Sequence, residues 1–303
     1  MKSISFSQLG KRANQEDAFG SNSTTFIVCD GVGGHTKGEV ASNFIKDFIL
    51  ENPIEITKLN IEKLLVDAQK ALNERYGQNP ETIGMGTTFC CLFFNKNNAF
   101  IAHIGDSRLY WLKPKENLVW HTWDHSIVSE LVKSGEITRE EGRHHPMNNR
   151  ISKAIVANKE NKTTTPEIIK IDKVDSGDIF FLCTDGVNEA WSDYDLITTL
   201  VDKRKSVEQK IALIQNQCEL ESKDNNTAII IEIAVDDEIN KGDNYEIEWL
   251  SIAQVFNRVK SSKEKELLST KRDKFGFNGL RVLFIISFVF LIYILFKRTF
   301  FTH

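Results

Sequence analysis

The stretches TTFIVCDG (24–31) and DIFFLCTDG (178–186) decide how this chain folds. Each is a short apolar run rich in Phe, Ile or Val that stops at an Asp-Gly pair. Runs of that length and composition, bounded by turn formers, read as β-strands, and the lack of polar alternation reads as burial on both faces. Asp-Gly is often the corner of a tight hairpin. Here neither pair leads into a second strand pattern: Asp30 runs into VGGHTKG (32–38) and then a helical pattern, and Asp185 runs into VNEAW (187–191). The reading that fits both is a pair of carboxylates delivered to one end of a sheet.

Working outward, TTFCCLFF (87–94), NAFIAHIGDSRLYWL (98–112) and NTAIIIEIAV (226–235) have the same strand character. Around 38–50, 58–76 and 206–221, apolar residues recur at three- and four-residue spacing, the helical period. Long buried strands flanked by amphipathic helices predict a layered α+β domain over residues 1–235. Two more acids fall between these elements. Asp224 precedes the last strand, and Asp106 lies inside the 98–112 run, where a hairpin turn is an equally good explanation.

Carboxylates that converge repel unless a cation sits between them. A donor set made of oxygen suits Mg²⁺ or Mn²⁺ and suits zinc or copper poorly. Two such ions roughly 3.5–4 Å apart hold and activate a water for in-line attack at phosphorus. Gly31, without a side chain, lets its carbonyl approach an ion closely. KRANQED (11–17) adds Arg12, which can clamp a phosphate bidentately, and Glu16 and Asp17, which can orient water one layer out; alone, this string reads as a charged surface turn.

Composition excludes several classes. At 303 residues, 41% hydrophobic and 26% charged, the chain is an ordinary globular protein in composition. A net charge of −4 without a basic face gives no expectation of nucleic acid. Residues 1–20 lack the apolar core of a secretory signal. The five cysteines lack zinc-ligand spacing, and Cys29, Cys90, Cys91 and Cys183 fall in apolar runs, as buried reduced thiols do.

Residues 236–279 are charged and read as a juxtamembrane linker, within which NYEIEWLSIAQVF (244–256) is amphipathic and either packs on the domain or lies near a membrane. VLFIISFVFLIYILF (282–296) carries no charge and extends to a span over 280–299. Lys263, Lys265, Lys271, Arg272, Lys274 and Arg281 precede it, against Lys297 and Arg298 after it. The positive-inside rule then predicts a single-pass anchor in the inner (cytoplasmic) membrane, with lipid as a partner and the large domain in the cytosol.

RANQED, CDGVGGH, GTT (86–88), GDSR (105–108), DH (124–125), TDGV (184–187) and DNNT (224–227) occur in the order that resembles the PPM family, the metal-dependent type 2C serine/threonine phosphatases, in their bacterial form. The resemblance covers 1–235. It implies a four-layer α/β/β/α sandwich of two antiparallel sheets flanked by helices, and hydrolysis of phosphoserine and phosphothreonine in proteins without a phosphoenzyme. It implies that Asp30 bridges two Mn²⁺ or Mg²⁺ ions, that the Gly31 carbonyl binds one, and that Asp185 and Asp224 complete the other. Asp106 with Asp185 would hold a third, weaker ion. Arg12 would bind the substrate phosphate, with Glu16 and Asp17 acting through water. Phosphoproteins and an opposing serine/threonine kinase are the implied partners. Two features depart from the pattern: Val32 stands where animal members carry a histidine, and SKAIV (152–156) replaces the usual TRALG-like end of a flap over 124–158. His125, His144 and His145 have no assigned role. The competing class is a degenerate module that binds phosphoproteins without hydrolysing them; such a module is expected to lose an acidic ligand, and all are present here. A small-molecule phosphatase with the same centre is a third reading.

Overall fold

A computed structural model of the chain describes residues 1–33, 37–97, 99–138, 141–142, 145–148, 150–241 and 247–255. Two antiparallel sheets stack face to face. One has six strands in the order β1 (Lys2–Gln8), β14 (Asn226–Glu232), β13 (Ile179–Cys183), β8 (Arg108–Lys113), β9 (Leu118–His121) and β16 (Leu250–Ser251). The other has five, in the order β11 (Glu167–Ile171), β7 (Ala99–Ile104), β6 (Phe89–Phe94), β3 (Thr25–Cys29) and β2 (Ala18–Ser21). A short three-stranded sheet joins β10 (Ile155–Val156), β5 (Gly86–Thr87) and β4 (Gly31–Val32), and β12 (Lys173–Val174) pairs with β15 (Ile239–Asn240).

The period-2 alternation of a strand explains why the apolar runs are unbroken. Phe26, Val28, Leu92 and Ile101 point between the sheets to meet Trp111, Phe180, Leu182 and Ile229. Their neighbours Ile27, Cys91, Phe93 and Ala102 point outward to helices α1 (Gly38–Glu51) and α2 (Lys58–Tyr76), which bury Ile45, Ile49, Leu64 and Leu72 against them. On the far face of the six-stranded sheet lie α4 (Asp185–Ala190), α5 (Asp193–Val201) and α6 (Val207–Glu221); α3 (Ile127–Lys133) belongs to the 124–158 segment. The helical stretches expected at 38–50, 58–76 and 206–221 thus fall on α1, α2 and α6. Ser206 and Gln209 close a reciprocal capping box that starts α6. All five cysteines are free and buried.

The 98–112 run divides into β7 and β8 at the turn that carries Asp106, which thus lies between two strands as expected. Several expectations need correction. The domain continues beyond residue 235. Its compact unit is Met1–Ala253, because β15 and β16 pair back onto it and Ile247 and Ile252 are buried. Trp249 packs edge-on against Trp111, with ring centroids 4.7 Å apart, and Lys113 lies over both rings. Of the segment expected to be a linker, the part up to 253 is therefore part of the fold.

Gln254–His303 forms a second unit, of which only 254–255 are described. The anchor expected over 280–299 lies outside the described residues. Among those described, no helix is long and apolar enough to cross a membrane. The longest, α2, carries Lys58, Glu62, Lys63, Asp67, Lys70, Glu74 and Arg75, charges that a bilayer core excludes. The expectation of a single-pass inner-membrane protein with lipid as a partner is corrected accordingly.

Replacing Trp249 with Ala removes an aromatic side chain wedged against Trp111. A loss of about 2–3 kcal/mol is expected, or about 5–10 °C in the calorimetric midpoint. An unchanged midpoint would return 236–253 to the status of a linker.

Candidate active site

The acids converge because strands of both sheets end at one edge of the sandwich. β3 stops at Cys29 and presents Asp30, whose backbone is fixed on both sides. Its N–H donates to Thr88 Oγ1 (2.9 Å), and its carbonyl accepts from Thr88 N (2.8 Å) and Thr87 Oγ1 (2.9 Å). β13 stops at Cys183; Thr184 then caps α4, so Asp185 is that helix's first residue rather than the corner of a hairpin. Asp224 sits two residues before β14, and Asp106 sits in the β7–β8 turn, where Ser107 Oγ is 2.7 Å from Thr88 Oγ1.

The N-terminal loop is tied to the same edge. Asn225 donates to Leu9 O (2.8 Å) and Asn14 O (3.0 Å) and accepts from Glu16 N (2.8 Å). Gly10 has φ +61°, and a Cβ on it would lie 2.0 Å from the Asp224 carbonyl oxygen. That closeness brings Arg12 onto the Asp224 carboxylate as an ion pair. Asp17 is buried and accepts from Thr184 Oγ1 at 2.9 Å. Gly31 donates to Glu16 O at 3.1 Å. Its missing side chain has a packing reason: a Cβ there would lie 2.5 Å from Gly38 C and 2.7 Å from Glu16 O.

Electrostatics show how closely these groups crowd. Burial, followed by the charges of Asp185, Asp17 and Asp106, holds the Asp30 carboxyl well above the usual range. Burial and the charge of Asp224 raise Asp185 to about 6. Asp17 is raised to about 7, first by burial, against hydrogen bonds from Thr227 and Thr184 that favour its ionised form. Burial and the charge of Asp185 push Asp106 up to about 8. Burial likewise raises Glu16, with Glu39 adding repulsion.

The predicted site residues are therefore neighbours in one field, but they are not equally close. Asp185 exerts the largest charge repulsion on Asp30, while Asp224 is turned to Arg12. Among the described residues, the one trio whose donor atoms all lie within 4.8 Å of one another is His103, His125 and Glu167, none of them a member of this cluster. The acid cluster nonetheless fits hard divalent cations. Asp185 Oδ1 and Asp17 Oδ1 are buried without a hydrogen-bond partner, the carboxyls resist ionising without a counter-charge, and every donor is oxygen.

Sequence reasoning missed the residues that hold the acids in place. Glu189, one helical turn after Asp185, accepts from Lys223 N (2.8 Å) and Asp224 N (3.2 Å) and so fixes the Asp224 loop. Arg108 makes a bidentate pair with Asp124, both contacts 2.6 Å, joining the GDSR and DH motifs. The i, i+4 spacing of Asp185 and Glu189 was a usable signal; the Arg108–Asp124 pairing had none. Val32 lies in β4, paired with Gly86, while His35 and His144 lie outside the described residues.

Since the folded-state value of Asp185 is raised, its ionisation costs stability. That cost is absent below about pH 4 and complete above about pH 7. In chelator, Asp185→Asn is expected to raise the thermal midpoint at pH 8 by about 5 °C and to leave it nearly unchanged near pH 4. A gain of equal size at both pH values would show that the carboxylates do not repel.

Comparison with known proteins gives the site its context. The protein phosphatase 2C profile matches residues 7–225. Serine/threonine protein phosphatase PstP of Mycobacterium tuberculosis is 31% identical over 193 residues, covering 62% of this chain and 36% of PstP, so the chain spans about a third of that relative. Serine/threonine phosphatase stp of Listeria welshimeri is 30% identical over 219 residues, 70% of this chain and 85% of the relative. Among solved structures, the PstP catalytic domain in complex with two manganese ions superposes with a TM-score of 0.65 at 26% identity, covering 77% of this chain and 98% of that one. On these grounds the chain belongs to the protein phosphatase 2C family.

Proposed function

We propose that this chain hydrolyses phosphoserine and phosphothreonine in proteins, opposing a serine/threonine kinase. The observation that carries the reading is the half-buried Asp30 and Asp185, with a buried, unpartnered Asp185 oxygen, at the edge where Asp224 and Arg12 meet.

Asp30, the Gly31 carbonyl, Asp185 and Asp224 would hold two Mn²⁺ or Mg²⁺ ions, and Asp106 with Asp185 would hold a third, weaker one. When bound, the ions supply an activated water and neutralise the charge that builds on the transferring phosphoryl group. The remaining work falls to the chain. Arg12 is exposed, and its guanidinium already reaches a carboxylate of the cluster; the same reach lets it take two phosphate oxygens and orient the ester. Glu16 and Asp17 would act one layer out, accepting hydrogen bonds from ion-bound water. Asp17 is locked in that role by Thr184, and Glu189 and Asn225 keep Asp224 and the Arg12 loop at their distances. No side chain is assigned as the acid that protonates the leaving serine or threonine.

The test is hydrolysis of a phosphothreonine peptide with added Mn²⁺. Asp30→Asn and Asp185→Ala are each expected to lower kcat at least about 10²-fold, and chelator to abolish turnover. Arg12→Lys should raise KM more than it lowers kcat, since a point charge replaces a two-pronged grip. Turnover that survives both chelator and Asp185→Ala would refute the proposal. Phosphopeptide binding without turnover in the wild-type chain would favour a non-catalytic module instead.

A further inference from the structure

A second group of ionisable side chains lies apart from the acid cluster. His103 on β7 is fully buried and stacks on His125, with ring centroids 4.6 Å apart and planes at 14°. Glu167, the cross-strand partner of His103 on β11, places Oε2 3.6 Å from Nε2 of each histidine. These are the residue types of a transition-metal site, and their donor atoms all lie within 4.8 Å of one another.

One hydrogen bond argues against a metal. The backbone N–H of Gly105 donates to His125 Nδ1 at 3.0 Å. A peptide N–H can only donate, so Nδ1 carries the lone pair and neutral His125 bears its proton on Nε2, the atom that faces Glu167. A metal-bound histidine shows the reverse arrangement, with its second nitrogen donating outward. The tautomer of His125 is therefore set by the Gly105 N–H, and the Glu167 carboxylate faces the resulting Nε2–H at 3.6 Å as a charge–dipole contact; that carboxylate is held well below the usual range by His103 and then His125.

The atoms that His125 grips lead into the active site. Its Nδ1 takes the Gly105 N–H, and its own N–H donates to the Gly105 carbonyl at 2.9 Å, so both polar backbone atoms of Gly105 are held by one residue. Gly105 has φ +102°, a conformation few other residues adopt, and a Cβ on it would meet Thr88 Cγ2 at 2.7 Å. Asp106 follows it directly. On its other side, the His125 carbonyl accepts from Ser152 N at 2.7 Å, next to the Ser126–Ile151 bridge that closes the base of the flap segment.

We propose that His125, with Glu167 facing its Nε2, is a positioning residue of the phosphatase reaction: it fixes the Gly105–Asp106 turn and couples that turn to the base of the 126–151 segment. The proposal rests on the reading of Asp106 as a ligand of the weaker ion. His125 touches neither substrate nor ion. It acts by setting where Asp106 stands and where the flap segment begins.

The test uses the full chain and two readouts, amide hydrogen exchange at Gly105 in chelator and calorimetric titration with Mn²⁺. His125→Phe keeps the ring without its nitrogens, and is expected to speed Gly105 exchange and to weaken the weakest Mn²⁺ step, each about tenfold, as one lost hydrogen bond does. His125→Asn, whose amide oxygen can stand in for Nδ1, should restore Gly105 protection to within about threefold of wild type. Glu167→Ala changes an exposed side chain, so folding is not at risk, and should speed exchange about threefold through loss of orientation alone. The proposal is overturned if Phe and Asn behave alike, if Gly105 exchange ignores all three changes, or if wild-type chain carries a tightly bound zinc ion that His103→Ala removes. Asp106→Ala separates the underlying reading. If it leaves the Mn²⁺ titration unaltered, the ligand assignment fails, while Gly105 exchange still decides the role of His125.

Discussion

Like charges held together against their own repulsion set the terms for the rest of this molecule. The charge of Asp185 bears on Asp30 where both are poorly solvated, and Asp17, Asp106 and Asp224 stand near enough to raise the cost of ionising one or the other. Folding alone gains nothing from such an arrangement, because each carboxylate would be better solvated apart. The two sheets provide the rigidity that tolerates it: their inner faces interlock through Phe, Trp and Ile, and helices cover both outer faces. β3 and β13 come from different sheets, yet both end at one edge, so the acids are carried by the best-packed strands of the domain. This is how a site held within small tolerances is built on elements that cannot relax away from it.

A second layer keeps the acids in register through backbone contacts. Thr87 and Thr88 hold Asp30 by its peptide atoms, Thr184 bridges Asp17 and β14, and Glu189 and Asn225 fix the loops that bear Asp224 and Arg12. Gly10 and Gly31 are required by close backbone approach, to Asp224 in one case and to Gly38 and Glu16 in the other. The sequence argument for Gly31 rested on access of a cation to its carbonyl; the crowded backbone beside it is a separate and sufficient reason for glycine.

Where burial forces a pattern, the sequence is easy to read. β3, β6, β13 and β14 are continuous apolar runs because both of their faces are covered, and α1, α2 and α6 show clean helical periodicity because one face of each is covered. β1 is less legible. KSISFSQ offers only Ile4 and Phe6 as apolar residues, as an edge strand with one exposed face does, and its identity comes from pairing with β14. β16 is two residues long and depends on a contact with β9, which no local pattern encodes. The acids were legible as strand-end residues, whereas the Arg108–Asp124 pair and the Glu167–His125 contact join positions too distant in sequence for spacing to connect. The apolar run near the C-terminus suggested a membrane span by composition alone, and the described part of the fold contains no helix that meets that requirement.

Anomalous diffraction at the manganese edge, on crystals of the chain soaked in Mn²⁺, tests most directly whether crowded carboxylates exist here to trap cations. Two strong peaks are expected beside Asp30, flanked by Asp185 and Asp224, with Asp224 released from Arg12. Peaks confined to His103, His125 and Glu167, or no ordered peak near Asp30, would contradict the idea that repulsion among these acids is resolved by bound metal.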